Sequence, residues 1–227
     1  MKDPTRIPAV LAALQRAWEG QPDLDLAALW GIVENHGVGW GSGDTELTAV
    51  LEELARRHPA SLTDPGEALI IADTLDPLRR ITVDPVLNRV TVRGAGLRPA
   101  TWRYREIRRL AVALPAVITD LSGVDHRLGV IRRLSVRDYP AELDVSGVLR
   151  TRMGEKVIGA ELSDGSLLLI SHGIDLFTPG RRDIGHTRHR YEKLLEVRAG
   201  APVRFLPVSG SQPVTLPEVE RLFPVEC

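Results

Sequence analysis

Cysteine is almost missing from this 227-residue chain. The single one, Cys227, is the last residue, so neither an intrachain disulfide nor a cysteine-built zinc site can form within one copy. No apolar run approaches the roughly 18 residues a membrane-spanning helix needs. The opening MKDPTRIP is polar and lacks a signal-peptide pattern, so a cytoplasmic setting is expected. There is no internal repeat, low-complexity tract or coiled-coil heptad. Lysine is scarce too: beyond Thr74, all but two of the basic residues are arginine, the side chain that grips carboxylate and phosphate in forked pairs. What the chain does have is enough apolar content, 43%, to exclude wholesale disorder, and a length that suits one large domain or two small ones.

Charge is segregated along the chain. Residues 1–74 carry five basic side chains against twelve acids, whereas residues 75–227 carry 24 bases against 18 acids. Between Leu75 and Arg137 alone there are 13 arginines and five acids. The near-zero overall charge of −1 conceals this polarity.

The acidic part reads as three helices. Asp3 can cap a first helix opening at Pro4, where the missing N–H costs nothing. Ile7, Val10, Leu11, Leu14 and Trp18 follow at helical spacing, and Gly20-Gln21-Pro22 stops the run. Asp23 or Asp25 opens a second helix with Leu26, Leu29, Trp30 and Val33 on one face, ended by Gly37. Asp44 opens a third with Leu47, Val50, Leu51 and Leu54, closed by Pro59, with Arg56, Arg57 and His58 at its favourable C-terminal end. The residues Asp3, Pro4, Arg6, Ile7, Trp18, Pro22, Asp23, Leu24 and Leu26 together resemble the opening of a family of small bacterial and phage proteins. These begin Met-basic-Asp-Pro-x-Arg-Ile, continue into a helix ending in Trp, and then read Pro-Asp-Leu-x-Leu. The likeness spans about the first 58 residues and implies no activity and no functional residue. Between the second and third helices, HGVGWGSGD alternates glycine around Trp40. The spacing is not that of a phosphate loop, and Asp44 and Glu46 would repel an anion. Trp40 is expected to fold back onto the helices; the alternative is a protein-docking loop with an exposed tryptophan.

The remainder reads mainly as strands. Leu62–Gly66 is turn chemistry, and Leu69–Ala72 fits a short buried strand. Leu78–Arg93 alternates like a hairpin about Asp84-Pro85-Val86-Leu87-Asn88. Glu106–Leu114 suits a helix, with strand as its competitor. Val157–Ile170 is the strongest hairpin, turning on Asp164-Gly165, with a second strand apolar throughout. Val203 and Phe205 suggest another strand, and Leu216–Phe223 a closing helix. The expected class is α+β: an acidic three-helix domain over 1–60, a linker over 61–74, and a basic strand-rich body over 75–227 built on a mixed or antiparallel sheet or a small barrel.

Three constellations are chemical candidates. His172, Asp175, His186 and His189 are metal-ligand types, but no named ligand motif holds them, and Arg181, Arg182, Arg188 and Arg190 oppose a cation. Glu161, Asp164, Glu192 and Lys193 are types a metal-dependent hydrolase would use, yet Asp164 already has a turn role. Ser209-Gly210-Ser211 is ordinary loop, with no nucleophile elbow around it. The third set is the arginine strip: Arg80, Arg89, Arg93, Arg103, Arg105, Arg108 and Arg109. Strand geometry there turns Trp102 and Tyr104 to the face opposite Arg103 and Arg105, which points to aromatics in the core and cations outside. These residues favour a non-catalytic binding protein, an accessory or regulatory subunit acting through protein contacts, with no cofactor. A nucleic-acid-binding protein using the 75–137 arginines is second, and a metal-dependent hydrolase third.

Overall fold

The structure, a computed structural model, describes residues 3–64, 66–95, 97–180, 185–210 and 212–226. The chain divides into two compact units, Met1–Asp138 and Tyr139–Cys227.

The first unit opens with α1 (Arg6–Glu19), α2 (Leu26–Asn35) and α3 (Asp44–Arg57). The start of α1 lies later than Pro4. The Asp3 carboxylate accepts the Thr5 N–H at 2.9 Å, a local turn that precedes the helix. The apolar face expected of α1 is also displaced. Ala13 and Ala17 are fully buried, while Ile7, Leu11 and Trp18 are 48%, 57% and 37% exposed. The cause is the packing of α1 on α3. The two helices run side by side in the same direction, with Arg6 paired to Asp44 near their starts and Arg16 to Glu52 (3.8 Å) further along. The small Ala13 and Ala17 form the contact face, and the larger residues of α1 are turned aside. Leu29 and Val33 of α2, Val38, and Leu51 and Leu54 of α3 complete this small core.

Seven strands follow: β1 (Ser61–Leu62), β2 (Leu69–Leu75), β3 (Arg79–Asp84), β4 (Arg89–Arg93), β5 (Ala100–Ala111), β6 (Pro115–Asp120) and β7 (Asp125–Arg137). From β2 to β7 each strand pairs antiparallel with the next, and β7 returns to pair with β2, so the meander closes into a six-stranded barrel with β1 added on β5. Alternation decides the filling. Ile70, Ala72, Ile81, Val83, Val90, Val92, Ile118 and Leu134 form the buried core. Each fully buried aliphatic side chain contributes about 1.5–3 kcal/mol. Asp84 sets the β3–β4 turn by accepting the Leu87 N–H at 2.9 Å. The linker expected over 61–74 contains β1 and nearly all of β2, and the chain divides at 138/139 instead. The apolar run Leu69–Ala72 is a barrel stave, entirely buried, and cannot be a tether. Of the two readings of Glu106–Leu114, strand prevails as far as Ala111.

The second unit holds β8 (Val157–Leu162), β9 (Leu167–Ile170), β10 (Ile174–Thr178), β11 (Gly185–His189), β12 (Tyr191–Glu196), β13 (Pro202–Pro207) and β14 (Val214–Glu226). They form one antiparallel sheet in the order β11-β10-β9-β8-β14-β13-β12. The first and last strands of that order are separated in the chain only by Arg190, so the sheet curls on itself around Ile158, Leu168, Tyr191, Leu194, Phe205 and Val219. The β8–β9 hairpin turns as its Asp-Gly pair predicts, with Gly165 at φ +79° and the Ser166 N–H donated to Asp164 at 2.9 Å. The closing helix expected over Leu216–Phe223 is instead part of β14. Its apolar spacing suits either state, and pairing with β8 and β13 on its two sides decides for strand.

Opposite Phe223 of β14 lies Gly159 of β8, and a Cβ there would sit 2.2 Å from the phenyl ring. Gly159→Ala is therefore expected to lower unfolding stability by about 1–3 kcal/mol through overpacking. Denaturant titration of the full chain measures it, and an unchanged midpoint would contradict this packing.

Candidate functional site

The arginines of the first unit separate into two groups once the barrel is closed. One group follows the ladder across β4, β3, β2 and β7. Arg93 stands opposite Arg80, Arg80 opposite Asp73, and Asp73 opposite Arg133. The register thus sets two cations face to face, an unfavourable cross-strand pair, and places one carboxylate between two cations. Asp73 meets Arg133 at 3.0 Å and Arg80 at 3.5 Å. Beside this row, Asp23 from the connector between α1 and α2 pairs with Arg132. Connector and row enclose a cleft of about 490 Å³ within the first unit, lined by Gln21, Asp23, Asp73 and the arginines at 79, 80, 93, 132 and 133.

The connector is held there by the helices. A Cβ on Gly20 would fall 1.7 Å from the His58 carbonyl oxygen, so only glycine lets the end of α1 lie against the end of α3. His58 in turn is fixed to the barrel. Its Nδ1–H donates to the Leu134 carbonyl at 2.9 Å, one residue from the Arg132-Arg133 pair. Burial holds the His58 imidazole below its ordinary pKa, and the nearby Arg133, Arg137 and Arg57 add to the shift against the Leu134 carbonyl.

The second group lies on β5, where two bulges break the simple alternation, between Tyr104 and Glu106 and between Ile107 and Arg109. They turn Arg103, Arg105, Arg108 and Arg109 all outward. Arg108 approaches Asp125 (3.6 Å) and Glu106 (3.8 Å), and Arg109 donates to the Pro115 carbonyl at 3.0 Å. Arg103 and Arg105 make no ion pair among the described residues. Tyr104 is buried, its hydroxyl pKa pushed up to about 12 by burial with the Asp84 carboxylate adding, and Trp102 packs partly against the barrel core with His126 at 5.0 Å. Of the strip expected from sequence, Arg89 is withdrawn: it is 4% exposed, with its guanidinium 3.3 Å from the Thr101 hydroxyl. Arg80 and Arg93 belong to the cleft and not to the β5 face.

Trp40 does not fold back onto the helices. It stands wholly in solvent, in a loop whose Gly39 N–H is taken by the Ser42 hydroxyl at 3.1 Å. In the second unit, His186 meets Asp175 at 2.9 Å and stacks on Phe177 at 4.6 Å. His186 and His189 lie on strand β11, where a spacing of three puts them on opposite faces. His189 instead packs near Phe205, at 5.4 Å. Among the described residues no group of three or more His, Cys, Asp or Glu gathers as metal ligands. Glu161 pairs with Arg221 at 3.3 Å, and three strand steps separate β8 from the β12 that carries Glu192 and Lys193. Arg181, Arg182, Ser211 and Cys227 lie outside the described residues. Gln21, Arg132 and Arg133 were not singled out by sequence, whereas Arg79 was, as part of the arginine strip on the hairpin. The doublet Arg132-Arg133 in an alternating stretch was the available signal.

Comparison with protein-family models, with curated proteins and with solved structures gives no match to this chain.

The depressed pKa of His58 predicts a pH dependence. The unfolded chain takes up a proton at about pH 6.5, which the folded imidazole resists. The stability His58 contributes is therefore complete above that pH and is lost as pH falls toward the lower folded value. Urea midpoints between pH 7.5 and 5.5 should fall. In His58→Asn, whose amide can replace the Nδ1–H donor without titrating, the decline should be shallower; equal slopes in the two proteins would refute the assignment.

Proposed function

We propose that this is a non-catalytic binding protein, an accessory or regulatory subunit that docks an acidic segment of another protein against the β5 face of its first unit. The observation that carries the reading is the pair of outward guanidiniums, Arg103 and Arg105, that lack an ion pair among the described residues. Bulges set them beside Arg108 and Arg109 on one strand. Forked guanidiniums on a rigid strand suit carboxylates, and charge complementarity of this kind governs association rate and partner choice. The exposed Trp40 supports a protein partner, because a solvent-facing tryptophan is the side chain that most often anchors an interface. A second reading, nucleic-acid binding, draws on the same four arginines. The inward Trp102 and Tyr104 weigh against its single-stranded form, since they leave no stacking platform beside the cations.

The test uses the full chain in extract of its native host, treated with nuclease and cross-linked, beside an Arg103→Ala/Arg105→Ala double variant and a Trp40→Ala variant. The expected result is a nuclease-resistant protein partner whose affinity falls by about tenfold or more in the double variant, with Tm unchanged. Loss of the partner on nuclease treatment, together with salt-dependent retention of a DNA or RNA oligonucleotide that needs Arg103 and Arg105, would replace this reading with the second.

A further inference from the structure

The cleft between the α1–α2 connector and the barrel contains a group that the packing of the first unit leaves unserved. Gln21 is 7% exposed, and its side-chain nitrogen is buried without an acceptor. A buried amide donor left unmade is costly, and native structures seldom tolerate one without a reason. The connector around it is well ordered by its own bonds: the Gln21 backbone N–H donates to Trp18 at 2.9 Å, and its carbonyl accepts from Leu24 at 3.0 Å. The side chain, by contrast, lines the cleft with nothing to donate to.

The cations that line the same cleft are held in two ways. Arg132 and Arg133 are each oriented by a carboxylate, Asp23 and Asp73, before any ligand arrives. Arg79 lines the same cleft, half-buried, and makes no ion pair among the described residues. The lining carries five arginines and two aspartates. Its volume of about 490 Å³ lies within the range of small-molecule sites.

We propose that this cleft binds a compact phosphate-bearing anion of the diphosphate class, with Arg79 and the Gln21 amide as its recognition groups and Arg132 and Arg133 as pre-oriented flanking cations. The chemistry that fits is an acceptor with several oxygens pointing in different directions. A carboxylate offers two oxygens in one plane, whereas a phosphoryl group offers three that can meet a guanidinium fork and an amide N–H together. Asp23 and Asp73 do not oppose such a ligand as free carboxylates would, because each is already engaged by an arginine. The site is separate from the β5 face, since neither Arg103 nor Arg105 lines the cleft, and it does not rest on the proposed docking of a protein partner.

The test is calorimetric titration and thermal unfolding of the full chain at low salt, with inorganic pyrophosphate, ADP and citrate as separate probes. Pyrophosphate or ADP should bind with one-to-one stoichiometry and raise Tm by roughly 2–4 °C at ligand concentrations well above Kd. The stronger of the two shows whether the natural ligand is inorganic or carries a nucleoside. Arg79→Ala should weaken binding by about tenfold or more. Gln21→Leu should weaken it as well, while the ligand-free protein keeps its Tm or gains, because the unserved amide is gone. Three outcomes would overturn the proposal: no heat and no Tm shift with either diphosphate, citrate binding as tightly as pyrophosphate, or affinities unchanged in both variants. An Arg103→Ala/Arg105→Ala protein should bind pyrophosphate normally, which keeps this result separate from the partner experiment.

Discussion

The return of β7 to β2 is the constraint on which the first unit depends. Its ladder runs from Leu69 opposite Arg137 to Leu75 opposite Val130, and it joins residues some sixty positions apart in the chain. Without it the meander would be an open sheet with two unpaired edges, and its apolar face would have no enclosed interior. With it, the alternation of each strand acquires one meaning, inside or outside. Arg132 and Arg133 then arrive beside Asp73 and Arg79, and His58 finds the Leu134 carbonyl. The helical layer is attached to the barrel by that histidine and by the Asp23–Arg132 pair. Closure of the barrel thus sets the surface on which the connector lies.

Electrostatic segregation along the sequence becomes local neutralisation in part and excess in part. The acidic helices meet part of their charge with their own arginines. Glu53, for example, is held down at about 2 by hydrogen bonds from Arg56 and Arg57, and Arg6 and Arg16 answer Asp44 and Glu52. Such exposed pairs contribute little stability. The barrel keeps a cationic excess in the cleft and on β5, while residues 1–74 keep an acidic one, twelve acids against five bases. Sign separation between the first 74 residues and the rest therefore does not describe two bodies facing each other, because the acidic helices and the 75–137 arginines belong to the same unit.

The α+β class, the three helices and both hairpins were legible because each rests on local alternation and turn chemistry; the small barrel, expected as one option beside an open sheet, closes through the distant β2–β7 pairing. What misled was periodicity read without its neighbours. On α1 the stripe Ile7, Leu11, Trp18 has ideal spacing, yet the helix packs through Ala13 and Ala17, and no rule of spacing distinguishes a close alanine contact from a polar flank. In Leu216–Phe223 the spacing suits helix and strand alike, and the partners β8 and β13 lie far away in sequence. The cleft was illegible for a similar reason. Gln21 reads locally as part of a helix stop, and only the three-dimensional approach of the connector to the barrel gives its amide a neighbourhood of arginines. The β5 strip was half legible: alternation correctly sent Tyr104 inward, but the bulges that turn Arg108 and Arg109 out together have no sequence mark of their own.

In the second unit, the one residue separating β11 from β12 has an outcome of its own. The two margins of the curled sheet are consecutive in the chain, so no slack lies between them. Tyr191 and Leu194 both reach the core across an odd spacing because the β12–β13 ladder is bulged there. A residue added or removed at Arg190 would therefore have to be absorbed within β11 or β12 themselves, not in a loop.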